Sequence, residues 1–71
     1  MKEVTLNCKG RDSWSRPVYE ANGRLYVDVD PRKGWKPKIC TKYNNEFDGE
    51  PDEPISEDTR ITFVPGRDTW D

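Results

Sequence analysis

A group of aromatic and basic residues near the middle of the chain is the first candidate for ligand binding. It consists of one tryptophan and five cations, namely Arg32, Lys33, Trp35, Lys36, Lys38 and Lys42. Cations of this kind can neutralise phosphates, and a nucleobase can stack on the indole. The group predicts weak binding of single-stranded nucleic acid, although the sequence pI of about 5.1 lies far below that of dedicated nucleic-acid binders. The alternative is a solubilising loop whose tryptophan packs on the end of the domain.

A second candidate site consists of aromatic residues that could contact another protein. These residues are Trp14, Tyr19, Tyr26 and Trp35. Tryptophan and tyrosine are enriched among the residues that contribute most to binding at protein interfaces. We therefore predict a non-catalytic module that binds a protein or peptide, with nucleic-acid binding as the alternative function. The alternative role for the two tyrosines is to cover a second small core as a cross-strand pair.

Catalysis is not expected. The sequence contains no histidine, which is the most frequent general base in enzymes. None of its serines or cysteines lies in a recognisable nucleophile motif, and a domain of 71 residues has little room for a pocket that excludes water. We predict that the protein is not an enzyme and requires no cofactor.

Metal binding is not expected either. Asp48, Glu50 and Asp52 alternate in an acidic segment, but their spacing does not match the calcium loop of an EF-hand. Cys8 and Cys40 alone would make a poor zinc site, because structural zinc takes four nitrogen or sulfur ligands. The favoured interpretation is that both cysteines are half-buried small hydrophobic residues. The sequence leaves open whether Cys8 and Cys40 lie next to each other in the fold.

A β-hairpin around Asn22-Gly23 must position the two tyrosines. Two runs of strand-forming residues flank this pair, and Asn-Gly is the preferred sequence for a two-residue type I′ turn. The turn predicts that Tyr19 lies opposite Tyr26 and that Val18 lies opposite Val27. One face of the hairpin is then aliphatic and the other carries the tyrosines. If the aliphatic face is buried, the tyrosine face is exposed, but the sequence does not decide which face is inside.

The rest of the chain favours further short strands. Residues 4–9 alternate between apolar and polar, and residues 38–43 and 60–64 are strand-like. We predict an all-β fold in which five antiparallel strands form a meander that closes into a small open barrel. The single domain would cover residues 1–66, with a long acidic loop at 44–58 before the last strand and a flexible tail at 67–71.

Charge and hydropathy limit the location of the protein. Residues 1–42 carry ten cations against five acidic residues, whereas residues 43–71 carry two against nine. This asymmetry fits either a basic binding face or two halves that pair with each other. No apolar run is long enough to cross a membrane, and no apolar segment typical of a secretory signal follows Met1. We expect a cytoplasmic protein without a membrane partner.

Three segments also carry a resemblance to known proteins. They are Asp-Ser-Trp-Ser-Arg-Pro-Val-Tyr-Glu at 12–20, Asn-Gly-Arg-Leu-Tyr at 22–26, and Phe-Asp-Gly-Glu-Pro-Asp at 47–52 with Pro54-Ile55. In these segments the chain is similar to small uncharacterised proteins encoded on conjugative and phage-like elements of Gram-positive bacteria. The resemblance implies a small intracellular domain of mobile-element origin, and it assigns no catalytic or binding residues.

Overall fold

The computed structural model describes residues 2–70 and contains six β-strands in that range. They are β1 (Lys2–Arg11), β2 (Pro17–Ala21), β3 (Arg24–Asp28), β4 (Ile39–Lys42), β5 (Pro51–Pro54) and β6 (Thr59–Val64). A 3₁₀ turn over Tyr43–Asn45 follows β4. Among the residues described, no helix has the length and apolar character needed to span a membrane.

The strands form one sheet in the order β5-β4-β3-β2-β1-β6. Pairing is antiparallel from β1 to β5, but β6 runs parallel to β1. The prediction of an all-β fold is confirmed. The predicted five-stranded antiparallel barrel is wrong, because the predicted acidic loop contains an additional strand and the last strand is parallel to the first. The described strands form an open sheet, in which β5 and β6 are the two edges.

The sheet is strongly curled. Only residues 55–58 connect β5 to β6, although these strands lie at opposite edges. The five Cα–Cα steps from Pro54 to Thr59 span at most about 18 Å, whereas the outer strands of a flat six-stranded sheet lie about 24 Å apart. The two edges must therefore approach each other, and residues from both of them line one groove.

The concave face of the curled sheet holds the main hydrophobic core. Leu6, Tyr19, Ala21 and Ile39 are buried there. Partly buried hydrophobic residues pack against them, namely Val4, Cys8, Tyr26, Ile55, Ile61 and Phe63. The rings of Tyr19 and Phe63 are 5.0 Å apart between centroids, so the tyrosine belongs to this core.

The convex face is also covered. Val18 and Val27 pair across the hairpin and have no exposed surface. Segment 43–50 crosses this face and is attached at both ends of the hairpin. At the turn, the Asn45 amide accepts a hydrogen bond from the Leu25 N–H (2.7 Å) and donates to the Gly23 carbonyl (2.9 Å). At the other end, the Asp48 carboxylate accepts a hydrogen bond from the Ser13 N–H (2.9 Å). With Tyr19 buried on the concave face and Val18 and Val27 buried on the convex face, the hairpin is covered on both faces.

Candidate binding surface at one end of the sheet

The strand directions bring three connecting segments to the same end of the sheet. They are residues 12–16 between β1 and β2, residues 29–38 between β3 and β4, and the residues after β6. Each segment carries one exposed tryptophan: Trp14 is 60% exposed, Trp35 57% and Trp70 39%. We call these three residues the tryptophan surface.

Asp12 organises the first of these segments. Its Oδ1 accepts hydrogen bonds from the backbone N–H groups of Trp14 (2.9 Å) and Arg16 (3.0 Å). Its backbone carbonyl accepts from the Ser15 N–H and its backbone N–H donates to the Arg16 carbonyl, which closes the turn. The Arg16 guanidinium lies 5.5 Å from the centre of the Trp14 ring. One buried carboxylate therefore determines where this tryptophan and its neighbouring cation project.

A buried ion pair connects Asp12 to the middle of the convex face. The Lys42 ammonium lies 2.6 Å from Asp12 Oδ2, and neither side chain is exposed. Lys42 also donates to the carbonyl of Gly49 at 3.0 Å. Burial alone would raise the pKa of Asp12, but the hydrogen bonds from Lys42 and from the backbone of Arg16 and Trp14 outweigh it and hold the pKa below its usual value. The carboxylate is thus ionised at neutral pH.

A second buried carboxylate shapes the segment between β3 and β4. Asp28 Oδ1 accepts from the backbone N–H of Asp30 (3.2 Å) and of Lys38 (3.1 Å). The Arg67 guanidinium lies 3.5 Å from the other oxygen of Asp28 and donates to the Trp35 carbonyl at 2.6 Å. This arginine ties the loop that carries Trp35 to the chain that follows β6.

The Arg32 side chain stacks on the ring of Trp35. Its guanidinium forms two hydrogen bonds of 2.8 Å with Asp30 and lies 4.2 Å from the centre of the Trp35 ring. The hydrogen bonds from Arg32 hold the pKa of Asp30 below its usual value. Because Arg32 is paired with a carboxylate and stacked on the indole, its charge is largely compensated.

Residues 67–70 form hydrogen bonds to the body of the domain, and the flexibility that we predict for residues 67–71 stays a prediction. The Trp70 N–H donates to the Pro31 carbonyl and its indole N–H to the Ser15 carbonyl, both at 2.8 Å, so this residue bridges the two loops. Asp68 forms two hydrogen bonds of 2.9 Å with Arg11, which lower the pKa of its carboxyl group. Asp71 lies outside the described residues.

The four aromatic residues predicted as a protein-binding site do not form one surface. Trp14 and Trp35 are exposed at the same end of the sheet, as such a site requires. Tyr19 is completely buried, and its hydroxyl accepts a hydrogen bond from the Asp68 N–H (3.1 Å), so this ring is not available to a partner. Tyr26 is half-buried against the concave core. The reason is that the hairpin is covered on both faces, which its alternating pattern does not reveal.

The basic residues predicted to contact nucleic acid are also divided. Lys42 is fully buried in its ion pair with Asp12, so the structure removes it from any phosphate-binding surface. Lys33, Lys36 and Lys38 are exposed, and no ion pair joins them to another residue within 2–70. A smaller basic patch of three lysines therefore remains beside Trp35.

The sequence does not identify two residues that matter for this site. Trp70 lies in the segment for which we predict a flexible tail, and Asp12, which holds the loop of Trp14, is not singled out by any motif. A tryptophan near the end of a strand-rich domain is a weak signal for docking, and Asp at the first position of a turn is a general preference. Neither pattern indicates which loops meet in space.

Within residues 2–70 no group of three acidic, cysteine or histidine side chains could hold a metal ion. The two cysteines are free, and the strand register places Cys8 on the concave face and Cys40 on the convex face. Burial, together with the charge of Asp28, raises the pKa of the Cys40 thiol, which makes it a poor nucleophile at neutral pH.

Comparisons with known proteins identify no relative of this chain. No protein-family model, no curated protein and no solved structure matches it.

Proposed function

We propose that the protein is a non-catalytic interaction module whose tryptophan surface binds another protein. The observation that carries this proposal is the exposure of Trp14, Trp35 and Trp70 on three segments that are hydrogen-bonded to each other. Tryptophan is the residue type most enriched at the energetic centre of protein interfaces. Because the backbone around these rings is already fixed, little conformational entropy is lost when a partner binds.

Nucleic acid fits this surface less well than protein does. The arginines that accompany the rings, Arg16 and Arg32, each face a carboxylate within 3.3 Å. Phosphate binding would depend on Lys33, Lys36 and Lys38, and the whole sequence carries a net charge of −2. A partner that buries indole rings gains more from apolar contact than from neutralising phosphates. Binding of single-stranded nucleic acid is kept as the competing outcome.

The proposal also includes a cytoplasmic location and a mobile-element origin. Free thiols on opposite faces of the sheet suit a cytoplasmic protein, because that compartment keeps cysteines reduced. A role as an accessory protein of a mobile element rests on the resemblance of the sequence segments described above.

A capture experiment with matched variants tests the protein-binding surface. The wild-type chain, Trp14→Ala/Trp35→Ala and Tyr43→Ala would each be immobilised and exposed to a bacterial cytosol treated with nuclease. Tyr43 is the matched control, because it is also an exposed aromatic residue (56%) but lies on the segment that covers the convex face. We expect a protein retained by the wild type and by Tyr43→Ala but lost with the double variant.

An NMR titration separates the competing function. Short single-stranded DNA and RNA would be added to ¹⁵N-labelled protein at low and at moderate salt. Amide shifts confined to residues 32–38 that disappear at moderate salt would favour nucleic acid and contradict the protein-binding proposal. Absence of any protein whose capture depends on Trp14 and Trp35 would also contradict it.

A further inference from the structure

The groove between the two sheet edges lies outside the tryptophan surface. It has a volume of about 600 Å³ and is lined by Ile55 beside β5 and by Ile61 and Phe63 of β6. This volume is within the range of ordinary ligand sites. The core residue Ile39 also reaches the groove, so its floor is continuous with the apolar interior.

The two edges that flank this groove differ in their capacity to pair with another strand. The β5 edge consists of Pro51, Asp52, Glu53 and Pro54. Proline has no N–H to donate, and acidic side chains discourage a further strand, so this edge is protected. A neighbouring chain therefore has little opportunity to pair there.

The β6 edge carries none of these protections. Its six residues, Thr59–Val64, contain no proline and are mostly β-branched or aromatic. They pair with β1 on one side, and no strand within residues 2–70 pairs with the other side. Their side chains alternate between half-buried and exposed, with Ile61 and Phe63 directed into the groove. An edge of this composition is suited to accept a further strand.

Charges at the two ends of the groove define what kind of strand would fit. Lys36 and Lys38 belong to the loop at the end of the sheet where β6 terminates, near Phe63, and Glu57 lies two residues before Thr59; all three line the groove. The five ion pairs seen in residues 2–70 involve none of these three groups. A strand with a carboxylate at one end and a cation at the other would complement them.

From this arrangement we infer that the groove binds an extended peptide segment of a partner protein, which adds as a strand to β6. The segment places alternate apolar side chains on Ile55, Ile61 and Phe63, an acidic residue beside Lys36 and Lys38, and a basic residue beside Glu57. Backbone hydrogen bonds to β6 supply affinity, and the apolar and charged positions supply specificity. This site is separate from the tryptophan surface and does not depend on it.

The test uses a synthetic peptide of defined sequence, acetyl-Asp-Val-Thr-Ile-Thr-Val-Lys-amide, titrated into ¹⁵N-labelled protein. We expect saturable amide shifts over residues 59–64 and slower hydrogen exchange of alternate amides in β6. Lys36→Glu/Lys38→Glu should weaken binding roughly tenfold, which corresponds to about 1.4 kcal/mol. Lys9→Glu/Lys33→Glu makes the same charge change on exposed lysines that do not line the groove, and it should change the affinity less than twofold.

Several results would overturn the inference. These are unmoved β6 amides at millimolar peptide, shifts confined to β5, or equal weakening by the two lysine pairs. Shifts of β6 amides that depend on protein concentration without peptide would instead assign this edge to self-association. Trp14→Ala should bind the peptide like the wild type, so failure of this inference and failure of the proposed tryptophan surface are distinguishable.

Discussion

Replacing Lys42 by methionine is the most direct test of how the loops of the tryptophan surface are held. Methionine keeps most of the length of the lysine side chain but leaves the carboxylate of Asp12 buried without its closest cation, which lies at 2.6 Å. Removing one partner of a buried ion pair costs about 3–5 kcal/mol, because the remaining charge is poorly solvated. A domain of 71 residues has a total free energy of unfolding of about 4–11 kcal/mol at ordinary stability per residue. Lys42→Met should therefore lose a large part of the stability.

Urea unfolding at pH 7, followed by circular dichroism, measures this loss. For a small domain the free energy of unfolding falls by about 1 kcal/mol per molar urea, so the urea concentration at the unfolding midpoint should fall by about 3 M or more. Lys38→Met is the matched control, because it makes the same substitution at an exposed lysine, and it should change stability by less than about 0.5 kcal/mol.

The pH dependence supplies a second criterion for the same pair. The pKa of Asp12 is lower in the folded than in the unfolded chain, so its contribution to stability is present above about pH 4 and is lost as the pH falls through the folded pKa. The difference between wild type and Lys42→Met should therefore narrow in acid. The reasoning would be refuted if Lys42→Met lowered the free energy of unfolding by less than about 1 kcal/mol at pH 7, or if the stability difference from wild type did not change with pH.

Two further expectations concern the core tyrosine and the thiols. Tyr19→Phe removes the hydroxyl that accepts a hydrogen bond from the Asp68 N–H. The free energy of unfolding should fall by about 1 kcal/mol, and amide exchange at Asp68 and Trp70 should become faster. Unchanged exchange would contradict this anchoring role. Both cysteines should react with a thiol reagent without prior reduction. At pH 8, Cys40 should react more slowly in the folded protein than in the urea-unfolded chain because burial raises the pKa of its thiol, and equal rates would contradict that assignment.

Local features of the fold were predictable from the sequence. The hairpin register is confirmed, with Tyr19 opposite Tyr26 and Val18 opposite Val27. The turn residues Asn22 and Gly23 adopt φ values of 52° and 80°, as a type I′ turn requires. These predictions succeed because a two-residue turn determines the pairing of its flanking strands without help from the rest of the chain.

Features that depend on distant segments were not predictable in this way. Lys42 reads as a solvent-exposed strand residue, yet segment 43–50 covers it and Asp12 neutralises it. The sequence leaves open whether Tyr19 faces the interior or the solvent, and in the structure its hydroxyl is an acceptor inside the domain. In both cases the alternation of polar and apolar residues describes one strand, whereas burial depends on what packs over it.

The parallel pairing of β1 with β6 has a consequence for the folding of this domain. Lys2 pairs with Thr59 and Leu6 with Phe63, so each of these pairs joins residues 57 positions apart. Closing so long a loop is entropically costly, and contacts of this range slow folding, whereas the hairpin of β2 and β3 can form within microseconds. Until β6 docks, residues Lys2–Asn7 of β1 form an open edge. The period before that step is when the chain is most prone to pair with a second molecule.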